Sequence, residues 1–205
     1  MPILSCNIRA PSLNFPPELL LRAQGVKIAF FDVDGVLTDG GLYFSEYPDG
    51  HECAVTLDGF RSGGEIIKRF NTLDGHGLKL LQKAGITPVV ISGRDSAVLR
   101  ARLHALGINH SHFGTEDKRP AAEQTLQTLG LDWSTAAAMG DDWPDLPVMG
   151  RAALSCAPAN AHLEVRTRAH HVTRAPGGHG AAREFCDLLL VASGYYAGLL
   201  REYTQ

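Results

Sequence analysis

Two aspartate pairs, a serine and a lysine are the residues of this chain best suited to do chemistry. Asp32 and Asp34 are separated by one valine, Asp141 and Asp142 are adjacent, and Ser92 and Lys118 fall between the two pairs. Four carboxylates brought together by a fold repel one another at high cost unless a cation sits among them. Oxygen-only donors favour a hard ion, and a site that also takes phosphate suits Mg²⁺. Ser92 offers a hydroxyl donor and Lys118 a positive charge. Both suit a phosphoryl group whose own charge must be neutralised before a carboxylate approaches it. A calcium loop is the competing reading of Asp32 and Asp34, but its third ligand and its glycine would fall at Val36 and Leu37.

The surrounding elements explain how such residues could converge. The β-branched and aromatic run 26–31 reads as a buried strand that ends at Asp32. Strand patterns at 86–91, 108–113, 135–139 and 152–156 alternate with helical ones at 78–84, 97–106, 121–129, 160–167 and 180–192. Gly85, Gly107 and Gly130 stand just past three of the helices, where a left-handed residue stops the turn. This alternation predicts an α/β fold: a Rossmann-like, doubly wound, mostly parallel sheet with helices on both faces and no large cap domain. Between 40 and 70 the pattern changes to strand-like pieces at 42–44, 54–57 and 65–70 joined by Asp-Gly turns, an antiparallel hairpin excursion. In open sheets of this class ligands bind at the carboxyl ends of the strands, where Asp32, Ser92, Lys118 and Asp141 all fall. We divide the chain into an irregular or partly helical leader (1–25), the α/β domain (26–193) and a tail (194–205).

Composition narrows the partners. The formal charge of 19 − 22 = −3 comes without a Lys/Arg run, which argues against a nucleic-acid or polybasic membrane surface. The apolar run 188–192 is far too short to span a bilayer, and the first residues lack a basic stretch followed by an apolar one. Cys6, Cys53, Cys156 and Cys186 contain no C-x-x-C pair and read as free thiols in a reducing compartment, which makes the cytoplasm the expected location. His110, His112, His170 and His171 have no further soft ligands near them in sequence, so we read them as structural.

At Asp32-Val33-Asp34-Gly35-Val36-Leu37-Thr38, Ile91-Ser92-Gly93-Arg94, Lys118 and Gly140-Asp141-Asp142 the chain resembles the haloacid dehalogenase superfamily of phosphohydrolases, motif by motif and in order. Residues 70–77, 147–149 and 174–184 narrow the resemblance to capless members that dephosphorylate an eight-carbon keto-sugar acid for the bacterial outer envelope. The resemblance implies that Asp32 is a nucleophile forming an aspartyl-phosphate and that Asp34 is the acid and then the base. It implies Mg²⁺ on the Asp32 carboxylate, the Asp34 carbonyl and Asp141, with Asp142 supporting. Ser92, Gly93 and Lys118 would hold the phosphoryl oxygens. It also implies a homotetramer in which the hairpin of one subunit reaches its neighbour's site and the Gly-rich segment 177–180 closes over it.

Departures from the pattern bear on the substrate. Leu73 and His179 stand where arginine is common in the family, and the segment 47–65 is longer than usual. Asp74, beside Leu73, and Arg61, in the long segment, are the candidate substrate residues. A phosphatase of a nine-carbon sugar acid or another small phosphate ester is the rival within the enzyme class. A phospho-accepting receiver domain is the rival outside it, although that function has no use for a second carboxylate at position 34.

Overall fold

The computed structural model describes residues 13–44 and 65–204. The expected strand at 54–57 and the candidate Arg61 lie outside the described residues, as do Cys6 and Cys53.

A short helix α1 (Pro17–Ala23) leads into β1 (Ile28–Phe31), and β2 (Tyr43–Phe44) and β3 (Glu65–Ile67) form a separate antiparallel pair. The chain then alternates: α2 (Thr72–Lys83), β4 (Thr87–Ile91), α3 (Ala97–Leu106), β5 (His110–His112), α4 (Lys118–Leu129) and β6 (Ala136–Met139). It finishes with α5 (Leu146–Met149), β7 (Leu154–Ala157), α6 (Leu163–Arg168), β8 (His171–Val172), α7 (Ala181–Ala192) and α8 (Tyr196–Glu202). Six strands form one sheet in the order β5-β4-β1-β6-β7-β8, and every pairing in it is parallel. The expected α/β sheet is therefore present, with no large cap among the described residues.

Side-chain alternation along the central strands divides the core between the two faces. Ala29 and Phe31 of β1, with Ala137 and Met139 of β6, join the cluster under α2 and α7. Ile28 and Phe30, with Ala136 and Ala138, join the cluster under α4, α5 and α6. The chain builds outward from β1 to β4 and β5, then returns to β6 on the other side. That reversal opens a crevice beyond the end of β1, the position where sheets of this kind bind ligands.

Among the boundaries that differ from the sequence reading, three matter most. Helix α2 starts at Thr72, not near 78: the Asn71 side chain accepts the Leu73 amide hydrogen at 2.8 Å and caps it. The glycines that mark a turn on propensity alone are there for packing. A Cβ at Gly77 would lie 3.1 Å from the Cys186 side chain on α7, and one at Gly75 would lie 2.3 Å from Arg102 on α3. Helix α4 starts at Lys118, capped by Asp117, which places the lysine at the first turn. The core also extends past the limits 26–193: Phe15 and the α1 residues Leu19 and Ala23 join one cluster, as does Leu199 of α8. Leu19 and Ala23 are four apart and so share a helical face. Cys156 and Cys186 are buried free thiols, as expected.

Candidate active site

Strand β1 delivers Asp32 to the crevice, its amide donating to the Met139 carbonyl of β6 at 3.0 Å. The loop that follows turns sharply at Gly35, whose φ of +89° suits a residue without a side chain. A Cβ there would also fall 2.0 Å from an Asp141 carboxylate oxygen. From the end of β6, Asp141 thus packs directly on the Asp32 loop. Ser92, buried at the end of β4, accepts the Arg94 amide hydrogen at 3.1 Å, with exposed Gly93 between them.

Lys118 ties the floor of the site together. Its ammonium donates to Asp32 Oδ1 at 2.5 Å and to Asp145 Oδ1 at 2.6 Å. Burial works against the charge on Lys118, but the two carboxylates outweigh it and raise its pKa above the ordinary lysine value. The other oxygen of Asp145 accepts the amide hydrogens of Asp141 and Asp142 at 2.9 and 3.2 Å. A Cβ at Gly140 would sit 2.2 Å from the Asp145 Cβ, so only glycine lets this loop fold under itself. Asp145 therefore fixes both the lysine and the loop that carries Asp141. Sequence reasoning named Asp142 for the supporting role; in the structure these contacts are made by Asp145. Asp142 is exposed at the start of a 3-10 turn, Trp143–Asp145, and that turn rotates Asp145 inward.

The donor set fits a divalent cation. Asp32, Asp141 and Asp145 each bring a carboxylate oxygen within 4.8 Å of the other two, against the single ammonium of Lys118. Both Asp145 oxygens are engaged, which leaves Asp141 and the second oxygen of Asp32 as the carboxylates for a metal. The imbalance of charge is visible in the acids themselves. Burial, then Asp32 and Asp145, push Asp141 up to about 8. Burial and Asp145, opposed by Lys118, push Asp32 to about 6. A dication supplies the missing positive charge with oxygen ligands only.

Asp34 stands at the rim. Its Oδ1 accepts from Lys68 Nζ at 2.5 Å and lies 3.5 Å from Thr38 Oγ1, while Oδ2 lies 3.7 Å from Arg94 Nε. Lys68, which sequence reasoning missed, comes from the end of the hairpin excursion. The Gly-rich segment closes the far side of the same loop. Gly177 donates to Asn160 Oδ1 at 2.6 Å, Asn160 Nδ2 donates to the Gly35 carbonyl at 3.3 Å, and Gly178 donates to the Val36 carbonyl at 3.0 Å. A Cβ at Gly177 would lie 1.7 Å from the Gly35 oxygen, so the close approach admits no other residue unless the backbone moves. In this structure the glycine run is packed on the Asp32 loop.

Asp74, the other candidate substrate residue, caps a helix. It is 2 % exposed, and its carboxylate accepts the amide hydrogens of Gly180 and Arg183 at 3.2 and 2.8 Å, capping α7. Arg69 lies next to His179, its guanidinium reaching His179 Nε2 at 2.9 Å and Asp39 at 3.2 Å.

A haloacid dehalogenase-like hydrolase family pattern matches residues 114–185. The chain is 37% identical over 181 residues to 3-deoxy-D-manno-octulosonate 8-phosphate phosphatase of Yersinia pestis, covering 88% of both proteins. The chain belongs to the haloacid dehalogenase-like hydrolases. It is a phosphatase of that family, and solved structures agree. The crystal structure of the Yersinia pestis enzyme superposes with a TM-score of 0.79 at 37% identity, covering 89% of this chain and 90% of that one. The Moraxella catarrhalis 3-deoxy-D-manno-octulosonate 8-phosphate phosphatase, solved with magnesium, phosphate and the sugar acid, gives 0.80 at 32% identity, covering 91% of this chain and 98% of that one. Membership of this phosphatase family sets aside the receiver-domain reading. Among the described residues no helix is long and apolar enough to cross a membrane.

Proposed function

We propose that this haloacid dehalogenase-like enzyme hydrolyses 3-deoxy-D-manno-octulosonate 8-phosphate to the free sugar acid and phosphate, in a Mg²⁺-dependent reaction through an aspartyl-phosphate on Asp32. The observation that carries the chemistry is the Asp32 carboxylate held by Lys118 beside Asp141 at the reversal point of the sheet. The substrate rests on the likeness to the enzymes of that name over most of both chains.

Asp32 attacks phosphorus, and the bond from phosphorus to the ester oxygen breaks. The departing oxygen takes the proton of Asp34. Asp34, now a carboxylate, takes a proton from water as that water attacks phosphorus and releases Asp32. Splitting the displacement in two replaces one hard step with two easier ones. Ser92, Gly93 and Lys118 hold the phosphoryl oxygens. The Asp32 and Asp141 carboxylates and the Asp34 carbonyl would hold Mg²⁺, which neutralises the incoming dianion so that a carboxylate can reach it.

The apolar side chains Leu42, Tyr43 and Ile67 stay exposed on or beside the hairpin, which supports its use against a neighbouring subunit in a cytoplasmic homotetramer. Phosphate release from a panel of sugar-acid phosphates, with Mg²⁺ and again with EDTA, tests the whole reading. The eight-carbon ester should give the highest kcat/KM and EDTA should stop it. A higher value for a nine-carbon ester would overturn the substrate, and full activity in EDTA would overturn the metal.

A further inference from the structure

We infer that Lys68 is a positioning residue for proton transfer: it holds Oδ1 of Asp34 and so leaves Oδ2 as the oxygen that gives and takes the proton. This deepens the proposed mechanism and rests on the acid–base role of Asp34. Lys68 sits one residue past β3, at the point where the hairpin rejoins the body of the protein. Its side chain is only 1% exposed, and its ammonium lies 2.5 Å from Asp34 Oδ1. A lysine charge is seldom buried unless a carboxylate meets it. Here the carboxylate is that of Asp34, whereas Lys118 holds Asp32 and Asp145.

The two oxygens of Asp34 are thereby made different. Oδ1 is next to Lys68 and faces Thr38 Oγ1 at 3.5 Å. Oδ2 lies toward Arg94 Nε at 3.7 Å, on a guanidinium side chain that is half exposed. A side chain free to rotate would present either oxygen, in a range of directions, to the leaving group. A proton-transfer partner must lie within hydrogen-bond reach of the atom it serves, and a misplacement of about 1 Å can cost about 10²-fold. Lys68 restricts Asp34 to one orientation and ties that orientation to the hairpin. In the first step Oδ2 gives its proton to the ester oxygen as the phosphorus–oxygen bond breaks. The charge left on the carboxylate faces the Lys68 ammonium. In the second step Oδ2 takes a proton from water as the water oxygen bonds to phosphorus and the Asp32–phosphorus bond breaks.

The two steps give Lys68 a signature that a merely structural residue lacks. An alkyl phosphate needs its leaving oxygen protonated, whereas p-nitrophenolate leaves without help. With Lys68→Met, kcat on the sugar-acid phosphate should fall by about 10²-fold. On p-nitrophenyl phosphate the first step should stay fast and the second become slow, so rapid mixing should show a burst of one nitrophenolate per active site. Lys68→Gln should give the same split and serves if the methionine variant fails to fold. Equal slowing of both esters without a burst, or wild-type kinetics, would overturn the inference. Asp34→Asn run alongside separates the two levels. If it shows the burst and the Lys68 variants do not, only the role of Lys68 falls. If Asp34→Asn turns over both esters at the wild-type rate, the acid–base assignment itself is wrong.

Discussion

Asp32 and Asp34 are two residues apart, yet they belong to differently built halves of the site. Asp32 is on the floor, where β1, β6 and the first turn of α4 meet and Lys118 and Asp145 lock it from below. Asp34 is at the rim, where the contacts come from the hairpin through Lys68 and from the loop after β4 through Arg94. The floor is a set of strand ends in a parallel sheet buried on both faces, so its geometry follows from the core. The rim depends on a two-stranded excursion outside that sheet and on a glycine seat at Gly177. The proposed nucleophile is thus held by buried ion pairs at the sheet's edge, and the proposed proton-transfer group by contacts from outside the parallel sheet.

The largest effect should come from the floor. Asp32→Asn removes the attacking oxygen and should lower kcat by at least roughly 10³-fold while the melting temperature stays at or above that of the wild type. The gain has a physical source, since the substitution removes one of the mutually repelling acids. Retained activity would place the nucleophile elsewhere. Asp145→Asn comes next, at about 10²-fold in kcat, because the amide still accepts one hydrogen bond but no longer balances Lys118. If it cost nothing, the floor would not need the network described above.

Metal binding should sharpen the contrast further, because only the floor acids are strongly perturbed. A carboxyl whose pKa is raised in the folded state binds its proton more tightly folded than unfolded. Stability of the metal-free protein therefore falls as pH climbs from the ordinary 3.8, through about 6 for Asp32, to about 8 for Asp141. Mg²⁺ requires the ionised carboxylates and relieves their repulsion. The thermal shift it produces should be larger at pH 8 than at pH 6, the two values to which Asp141 and Asp32 are raised. A larger shift at the lower pH would contradict the cluster as the metal site. The smallest effect is expected outside both halves. Asp74→Ala removes the cap of α7 and should cost about 1 kcal/mol in a urea titration with KM unchanged. A raised KM would return Asp74 to the substrate.

The floor was legible in the sequence because each of its residues follows an apolar strand run, and parallel strands present their carboxyl ends together. Asp32, Ser92 and Asp141 needed no more than that, and Lys118 follows the third of these four strand runs, β5, at the start of the next helix. Asp145 was harder to see because Asp142 competes with it in the same short run. The available signal was the three-residue spacing from Asp142 to Asp145 with Pro144 between, which suits a tight capped turn. The helical setting of Asp74 was not legible either. Gly75 and Gly77 are poor helix formers, and packing against α3 and α7 overrides that preference and makes Asp74 part of a helix. Lys68 had no local signal at all. Its partner is 34 residues earlier, and only the return of the hairpin brings the two together.

The central claim is that Asp32 carries the phosphoryl group between the two steps. Its most direct measurement is a rapid-quench experiment on the Asp34→Asn variant with p-nitrophenyl phosphate, whose leaving group needs no acid, and Mg²⁺, followed by mass analysis of the peptide that contains Asp32. The account predicts one added phosphoryl group on Asp32. Phosphate found on another residue, or turnover with Asp32 unmodified at every time point, would contradict it.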